Sequence, residues 1–280
     1  MNWKAKVIKN PWANANLQNV FADGDYGYSV KTDKKSNQSF QFGTQSYVEE
    51  IKRLCPNSQL TFHCLPSPYS GNPDANIYCL NMNPGEPDPN FDKWSLTANL
   101  YTTQSLENLK HHVQDAFWTE GIIADNIGNI KNDNDIFDRL LLNENAVPGY
   151  FIHGGARWQR SKTKELWTLL RGQKPNIFFL EYFPYHSKHS FDFPDYLPSY
   201  DYRNALLEFA MDEEKLIIIM RSEKKWYDIK DFGKRLKEYK KKILLRNSQG
   251  GWLTRGNMIQ FVPDNRNDIL TWNDIINLLK

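Results

Sequence analysis

Four short segments of the chain, 76–82, 176–181, 216–220 and 243–245, are almost continuously apolar and rich in Ile, Leu and Phe. Runs of this kind, continuous rather than alternating, mark strands buried on both faces. Segments with helical spacing separate them. Tyr47 to Leu54 reads as a short helix ended by Pro56. Ser105 to Phe117 reads as another, with Ser105 as N-cap, and Asn132 to Leu142 as a third. Ala156 to Leu170, Tyr202 to Met211 and Asp228 to Tyr239 follow, and Thr271 to Leu279 closes the chain with Thr271 and Asp274 in capping-box spacing. Met258 to Val262 adds an edge strand, and Pro66 to Pro73 is a Pro/Gly loop. Strands and helices in this alternation predict parallel βαβ units, hence an α/β three-layer sandwich with a four-stranded parallel central sheet. Residues 1–45 have no sustained period and read as an irregular N-terminal wrap, so 1–280 is expected to be a single domain.

Composition narrows the classes. The 280 residues include nine Trp and 14% aromatics, while the formal net charge is only +2. A nucleic-acid surface must therefore be a local patch. Cys55, Cys64 and Cys79 have no metal-like spacing and are expected to be reduced thiols. No apolar signal core or membrane-length run occurs, which predicts a cytoplasmic protein with no membrane association.

In a parallel sheet the residues just after each strand gather on one edge, where ligands bind in open α/β folds. Those residues are Asn81–Gly85, Glu181–Ser187, Arg221–Trp226 and 246–257. Turns and helix caps are polar in any protein, which accounts for about half of these groups. Glu181 is different, because it directly follows Phe178-Phe179-Leu180 and a buried carboxylate needs a partner. That partner is either structural, Arg221 or Arg246, or a ligand.

Asn81-Met82-Asn83-Pro84-Gly85 resembles the first motif of the uracil-DNA glycosylase superfamily, in the Asn-Pro-Gly form of its single-strand-selective and thymine-mismatch branches. The resemblance implies that Asn83 positions the attacking water, with Asn81 beside it. Gly85 stands where the classical uracil enzymes carry a tyrosine that excludes 5-substituted pyrimidines. Glu181 occupies the place of their base-reading asparagine. The segment Glu181-Tyr182-Phe183-Pro184-Tyr185-His186-Ser187 is similar to bacterial relatives of the superfamily. The second motif, a His-Pro-Ser-Pro type run after the fourth strand, corresponds here to Arg246-Asn247-Ser248-Gln249-Gly250-Gly251-Trp252-Leu253. Its histidine and prolines are absent, so Arg246, Asn247 or a backbone N–H takes the leaving-group role.

A glycosylase extrudes a base, stacks on it, reads its edge, stabilises the leaving anion and presents water to C1′. Asp88 and Glu86 are rival water-activating carboxylates to Asn83. Tyr182, Tyr185, Phe91 and Trp94 are stacking candidates, each more often ordinary core. His186 and Ser248 complete the substrate-binding set. Lys240, Lys241 and Lys242, with Arg255, form a basic run expected to contact phosphates, and Trp252 and Leu253 are candidate wedge tips. An ionised Glu181 accepts from the N4 amine of cytosine, and Gly85 leaves room at C5. The expected substrate is therefore a 5-modified cytosine, hydroxymethylated or glucosylated as in phage DNA, with an antiphage role. The alternatives are uracil excision for repair and an inactive binder of modified DNA. No cofactor or metal is expected, DNA is the partner, and the chain is expected to be a monomer. A zinc site from His186, His189, His153 and Asp192 ranks low, and no Gly-x-Ser-x-Gly elbow or Walker run is present.

Overall fold

A computed structural model describes residues 11, 20–33, 38–62, 68–70, 73–85, 154–169, 176–230, 232–245, 247–258 and 272–279. In chain order the elements are β1 (Ser29–Val30), β2 (Phe40–Gln41), α1 (Gln45–Leu54), β3 (Leu60–Thr61), β4 (Tyr69–Ser70) and β5 (Ile77–Asn81). After these come α2 (Gly154–Leu169), β6 (Ile177–Glu181), β7 (His186–Ser187), α3 (Tyr200–Asp212) and β8 (Leu216–Ile219). The chain ends with α4 (Glu223–Tyr227), α5 (Gly233–Glu238), β9 (Lys242–Leu244), α6 (Arg255–Met258) and α7 (Trp272–Leu279).

The principal sheet runs β4-β6-β5-β8-β9. β6, β5, β8 and β9 are mutually parallel, as the four apolar runs predict, and β4 is antiparallel on the edge. Alternate residues feed two buried clusters. Tyr78, Leu80, Phe178, Leu180, Ile217 and Ile219 pack with Leu206, Leu207 and Ala210 of α3, Trp226 of α4 and Leu236 of α5. Ile77, Cys79, Ile177, Phe179, Leu216 and Ile218 pack with Leu166 of α2, Met258 of α6 and Ile275 of α7. Each such side chain contributes about 1.5–3 kcal/mol on burial, so the sheet is held from both faces.

Several boundaries differ from the sequence reading. β4 lies inside the expected Pro/Gly loop: two residues pair with β6, and the Glu181 N–H continues the contact to the Pro68 carbonyl at 3.0 Å. The β1–β2 and β3–β7 pairs are two residues long, too short to leave a period. Of the expected helix from Asp228 to Tyr239 only Gly233–Glu238 is helical, as α5, and a break separates it from α4, which ends at Tyr227. At the break the Gly233 N–H donates to the Ile229 carbonyl at 2.7 Å, and a Cβ on Gly233 would run into the Tyr227 carbonyl. Met258 ends a helix instead of starting an edge strand. The expected helices over 105–117 and 132–142, and the cap Thr271, lie outside the described residues. Cys55 and Cys79 are free thiols, and Cys64 lies outside the described residues. No helix among the described residues is long and apolar enough to cross a membrane.

One buried carboxylate helps fasten segment 20–33 to the body. Asp25, fully buried, accepts from Tyr185 Oη at 2.7 Å, Ser199 Oγ at 2.7 Å and the Ser199 N–H at 2.9 Å. Burial nevertheless dominates and raises its pKa to about 6, against the opposing pull of those hydrogen bonds. The folded protein thus holds this proton more tightly than the unfolded chain, whose Asp titrates near 3.9. The stability contributed by protonation is full below about pH 4 and lost as pH rises through about 6, roughly 3 kcal/mol in all. Urea unfolding of wild type and Asp25→Asn between pH 4 and 7 should show wild type losing about that much relative to the variant. A pH-independent difference would mean that Asp25 titrates as it does in a peptide.

Candidate functional site at the carboxyl edge of the sheet

The parallel register sets Asn81, the last residue of β5, directly beside Glu181, the last residue of β6. Asn81 Nδ2 donates to Glu181 Oε1 at 3.1 Å. The Asn81 backbone is fixed as well, its carbonyl accepting from Trp226 Nε1 at 3.1 Å and from the Tyr182 N–H at 3.2 Å. What remains is chemically unusual. Asn81 Oδ1 and Glu181 Oε2 are both shut off from solvent and have no hydrogen-bond partner among the described residues. Buried polar atoms are nearly always paired, so two adjacent orphans are an exception at this edge.

Burial pushes the Glu181 carboxyl up to about 8, while the Asn81 hydrogen bond and the charge of Arg221 pull weakly the other way. At neutral pH the group is mostly a neutral acid. Since Oε1 accepts from Asn81, the proton sits on Oε2, which becomes a donor. Arg221 does not act as a tight structural counter-ion. Its Nη2 donates to the Gln249 carbonyl at 3.0 Å, and its buried Nε has no partner among the described residues.

Asn83 follows two residues beyond the strand on the same edge. Its Nδ2 donates to the Ser187 carbonyl at 3.0 Å and shares a 3.1 Å contact with Ser187 Oγ. Ser187 is itself fully buried in β7 and bonded to the His189 carbonyl. With the NH₂ group committed, Oδ1 is left as the acceptor that Asn83 can offer to water. Gly85 adopts φ +77°, and no atom of the described residues lies within 4 Å of a Cβ placed on it. Its carbonyl accepts from His186 Nδ1 at 3.1 Å, which stiffens the turn. The 247–253 loop borders this edge through Arg221, as the strand-edge argument expects.

Other candidates sit elsewhere. Tyr182 is buried with its ring 5.3 Å from Trp226 and the Arg203 guanidinium 4.6 Å above it. Tyr185 is buried among Phe21, Phe42, Phe62 and Phe183 and bonded to Asp25. Both rings are occupied by core neighbours, so neither offers a face to a base. Asn247 shapes its turn, accepting from the Gly250 N–H at 3.1 Å, and Ser248 is exposed at the tip. Leu253 is fully buried in the core, because its N–H docks on the Lys162 carbonyl at 2.8 Å, so it is no wedge tip. Trp252 stays about half exposed. Arg246, Asp88, Glu86, Phe91, Trp94 and His153 lie outside the described residues.

The basic run is on the other side of the sheet. Lys242 starts β9, level with Ile217 rather than with the strand ends. It is buried and donates to the Leu236 and Lys237 carbonyls, capping α5. Lys241 pairs with Glu214 at 2.8 Å, and neighbouring Arg235 pairs with Glu208 and Asp212. Lys240 is exposed at the same far edge. A lysine run that precedes a parallel strand necessarily lies opposite the edge where that strand ends. Arg255 is exposed, its N–H held by Glu165 of α2 at 3.2 Å. Asp192, from the low-ranked zinc set, pairs with Lys225 at 3.1 Å.

Three groups escaped the sequence reading: Ser187 as the residue that orients Asn83, Asp25 as an anchor, and Lys162 beside Trp252. Asp25 and Lys162 belong to no motif, and Ser187 lies at the end of the Glu181–Ser187 segment with no role of its own assigned there. An infrared spectrum at pH 7 should show a protonated-carboxyl C=O band that Glu181→Gln removes and that fades as pH passes about 8. A band already absent at pH 6 would mean that Glu181 is ionised. Searches against family models, curated proteins and solved structures found no match for this chain.

Proposed function

We propose that the chain is a monofunctional DNA glycosylase with the three-layer sandwich of the uracil-DNA glycosylase superfamily, excising a flipped 5-modified cytosine to leave an abasic site. The observation that carries this reading is the pair of buried orphan atoms, Asn81 Oδ1 and Glu181 Oε2, on the same sheet edge as an Asn83 whose NH₂ is already held. Donor and acceptor side by side are what the Watson–Crick edge of a base requires.

In this scheme C1′–N1 cleavage leaves its electron pair on the base, and the sugar becomes oxocarbenium-like. Asn83 Oδ1 holds the water whose oxygen bonds to C1′, and the proton that water loses ends on the departed base. Asparagine is a weak base, so cleavage runs ahead of attack. The neutral Glu181 revises the way the base is read. Oε2–H donates to N3 of cytosine, and Asn81 Oδ1 accepts from the N4 amine. The ionised form would have offered acceptors only. A neutral acid also suits uracil, donating to O4 while Oε1 or Asn81 Oδ1 accepts from N3–H. Glu181 therefore does not decide between the two bases. The space that the described residues leave beside Gly85 supports the 5-substituted substrate, since a bulky group at C5 meets none of their side chains there. Excision of such bases from phage DNA would damage the invader and spare a host that lacks them.

Duplex and single-stranded DNAs bearing uracil, cytosine, hydroxymethylcytosine or glucosyl-hydroxymethylcytosine, treated with alkali and analysed by mass spectrometry of the released base, test this directly. Release is expected from the 5-modified cytosines. Release of uracil alone would reassign the substrate, and binding without release from any DNA would leave a binder of modified DNA. Asn83→Ala should lower release at least about 10²-fold, the scale of one positioned catalytic group, with unchanged circular dichroism. Glu181→Gln keeps a neutral donor and acceptor and should stay within about tenfold of wild type, while Glu181→Ala should lose about 10²-fold or more. Equal losses in the two Glu181 variants would count against base reading by the neutral acid.

A further inference from the structure

Lys241 pairs with Glu214 and Lys242 caps α5 on the far edge, so neither stands near the strand ends. Two cations converge beside the 247–253 loop. Arg221 follows β8 and reaches the loop through its 3.0 Å hydrogen bond to the Gln249 carbonyl. Its guanidinium is incompletely satisfied, the buried Nε lacking a partner among the described residues. Ser222, the next residue, adopts φ +55°, a left-handed conformation that costs a non-glycine residue energy and turns the chain sharply at Arg221. The second cation is Lys162 of α2, whose Nζ stands 5.0 Å above the Trp252 ring. Burial first, and then the like charge of Arg221, lowers the Lys162 pKa, so the two cations feel each other.

Trp252 completes the arrangement. It is among the few large apolar side chains left exposed among the described residues, at 48%. The loop is shaped around it, since a Cβ on Gly250 would lie 2.7 Å from Trp252 Cε3. Gly251, at φ +62°, brings the backbone down against Met220 and Arg221. An exposed indole beside two mutually repelling cations has the composition of a single-strand contact, in which an aromatic face stacks a base and a cation holds the adjoining phosphate.

We propose that Arg221 and Lys162 hold a backbone phosphate of the nucleic-acid strand, and that the exposed part of Trp252 stacks a base adjoining the one read by Asn81 and Glu181. This rests on the reading of the chain as a DNA-binding protein but does not require it to cleave anything. Arg221 also pins the Gln249 turn, so the test needs a readout that a structural role would not move.

That readout is the salt dependence of binding to unmodified single-stranded oligothymidine, measured by anisotropy. Each phosphate contact contributes about 0.7 to the slope of log K against log salt for single strands. Arg221→Gln and Lys162→Gln should each flatten the slope by up to about that amount, and Arg221→Lys, which keeps the charge, should restore it. Trp252→Ala should weaken binding roughly tenfold with the slope unchanged, because stacking is not ionic. Lys240→Ala with Lys241→Ala should leave both quantities as in wild type. Wild-type slopes in Arg221→Gln and Lys162→Gln, or a flattened slope in the far-edge double variant, would overturn the proposal. Failure to release any base while these slopes behave as expected would reject the glycosylase reading and leave the strand contact standing.

Discussion

The parallel, in-register pairing of β5 with β6 is the constraint on which the rest of this structure depends. Ile77 to Asn81 lie opposite Ile177 to Glu181, residue for residue. Each pair has one neighbour committed to one buried cluster and the next to the other. A slip of a single residue would send every apolar side chain to the opposite face. Register is therefore set by packing on both sides, and the polar residues that end the two strands are delivered to each other as a consequence. The ladder even runs on past the strands, with the Phe183 N–H donating to the Met82 carbonyl at 2.9 Å. The Asn81–Glu181 contact is rigid because the apolar pairs beneath it are.

That rigidity sets the electrostatics. Glu181 is placed by its strand where desolvation outweighs every favourable contact, and its pKa rises. Asp25 shows the same balance with more partners: three hydrogen bonds still leave the carboxyl raised. Arg203 illustrates the opposite solution for a cation. Its guanidinium is buried against the rings of Tyr182, Tyr200 and Trp226 and donates to the Tyr182 carbonyl at 2.7 Å, so aromatic faces and a backbone dipole stand in for a carboxylate. These buried charges hold the framework behind the strand ends. Glu181, at the end of that framework, is kept mostly neutral by burial.

Charge is divided between the two edges of the sheet. Among the described residues, cations near the edge where strands begin are matched by carboxylates: Arg235 to Glu208 and Asp212, Lys241 to Glu214 and Lys234 to Glu238. Exposed pairs of this kind add little stability, but they remove net potential from that surface. Near the edge where strands end, Arg221 is close enough to Lys162 for its charge to help lower the Lys162 pKa, after burial. Sheer number of lysines is thus a poor guide to where an anion is attracted, since the partner of each charge matters more than its count.

The four parallel strands were legible in the amino-acid order because each is a continuous apolar run, a pattern that burial on both faces produces and little else does. The gathering of Asn81, Asn83 and Glu181 on one edge was legible for the same reason, since parallel strands all end on the same side. Tyr182 and Tyr185 could not be separated from true surface aromatics in this way. Their neighbours in space, Trp226 for one and Phe42 for the other, come from distant parts of the chain. Lys242 was misread because a charged residue beside a run of lysines looks solvated, while its burial comes from the α5 carbonyls that fold back over it. Leu253 and Ser187 were decided by contacts with Lys162 and Asn83 that are 91 and 104 positions away in the chain. Local order thus determined which residues form strands and which edge they share. Only the tertiary structure decided which polar atoms on that edge are satisfied and which have no partner among the described residues, because hydrogen bonding and desolvation depend on partners that sequence distance does not reveal.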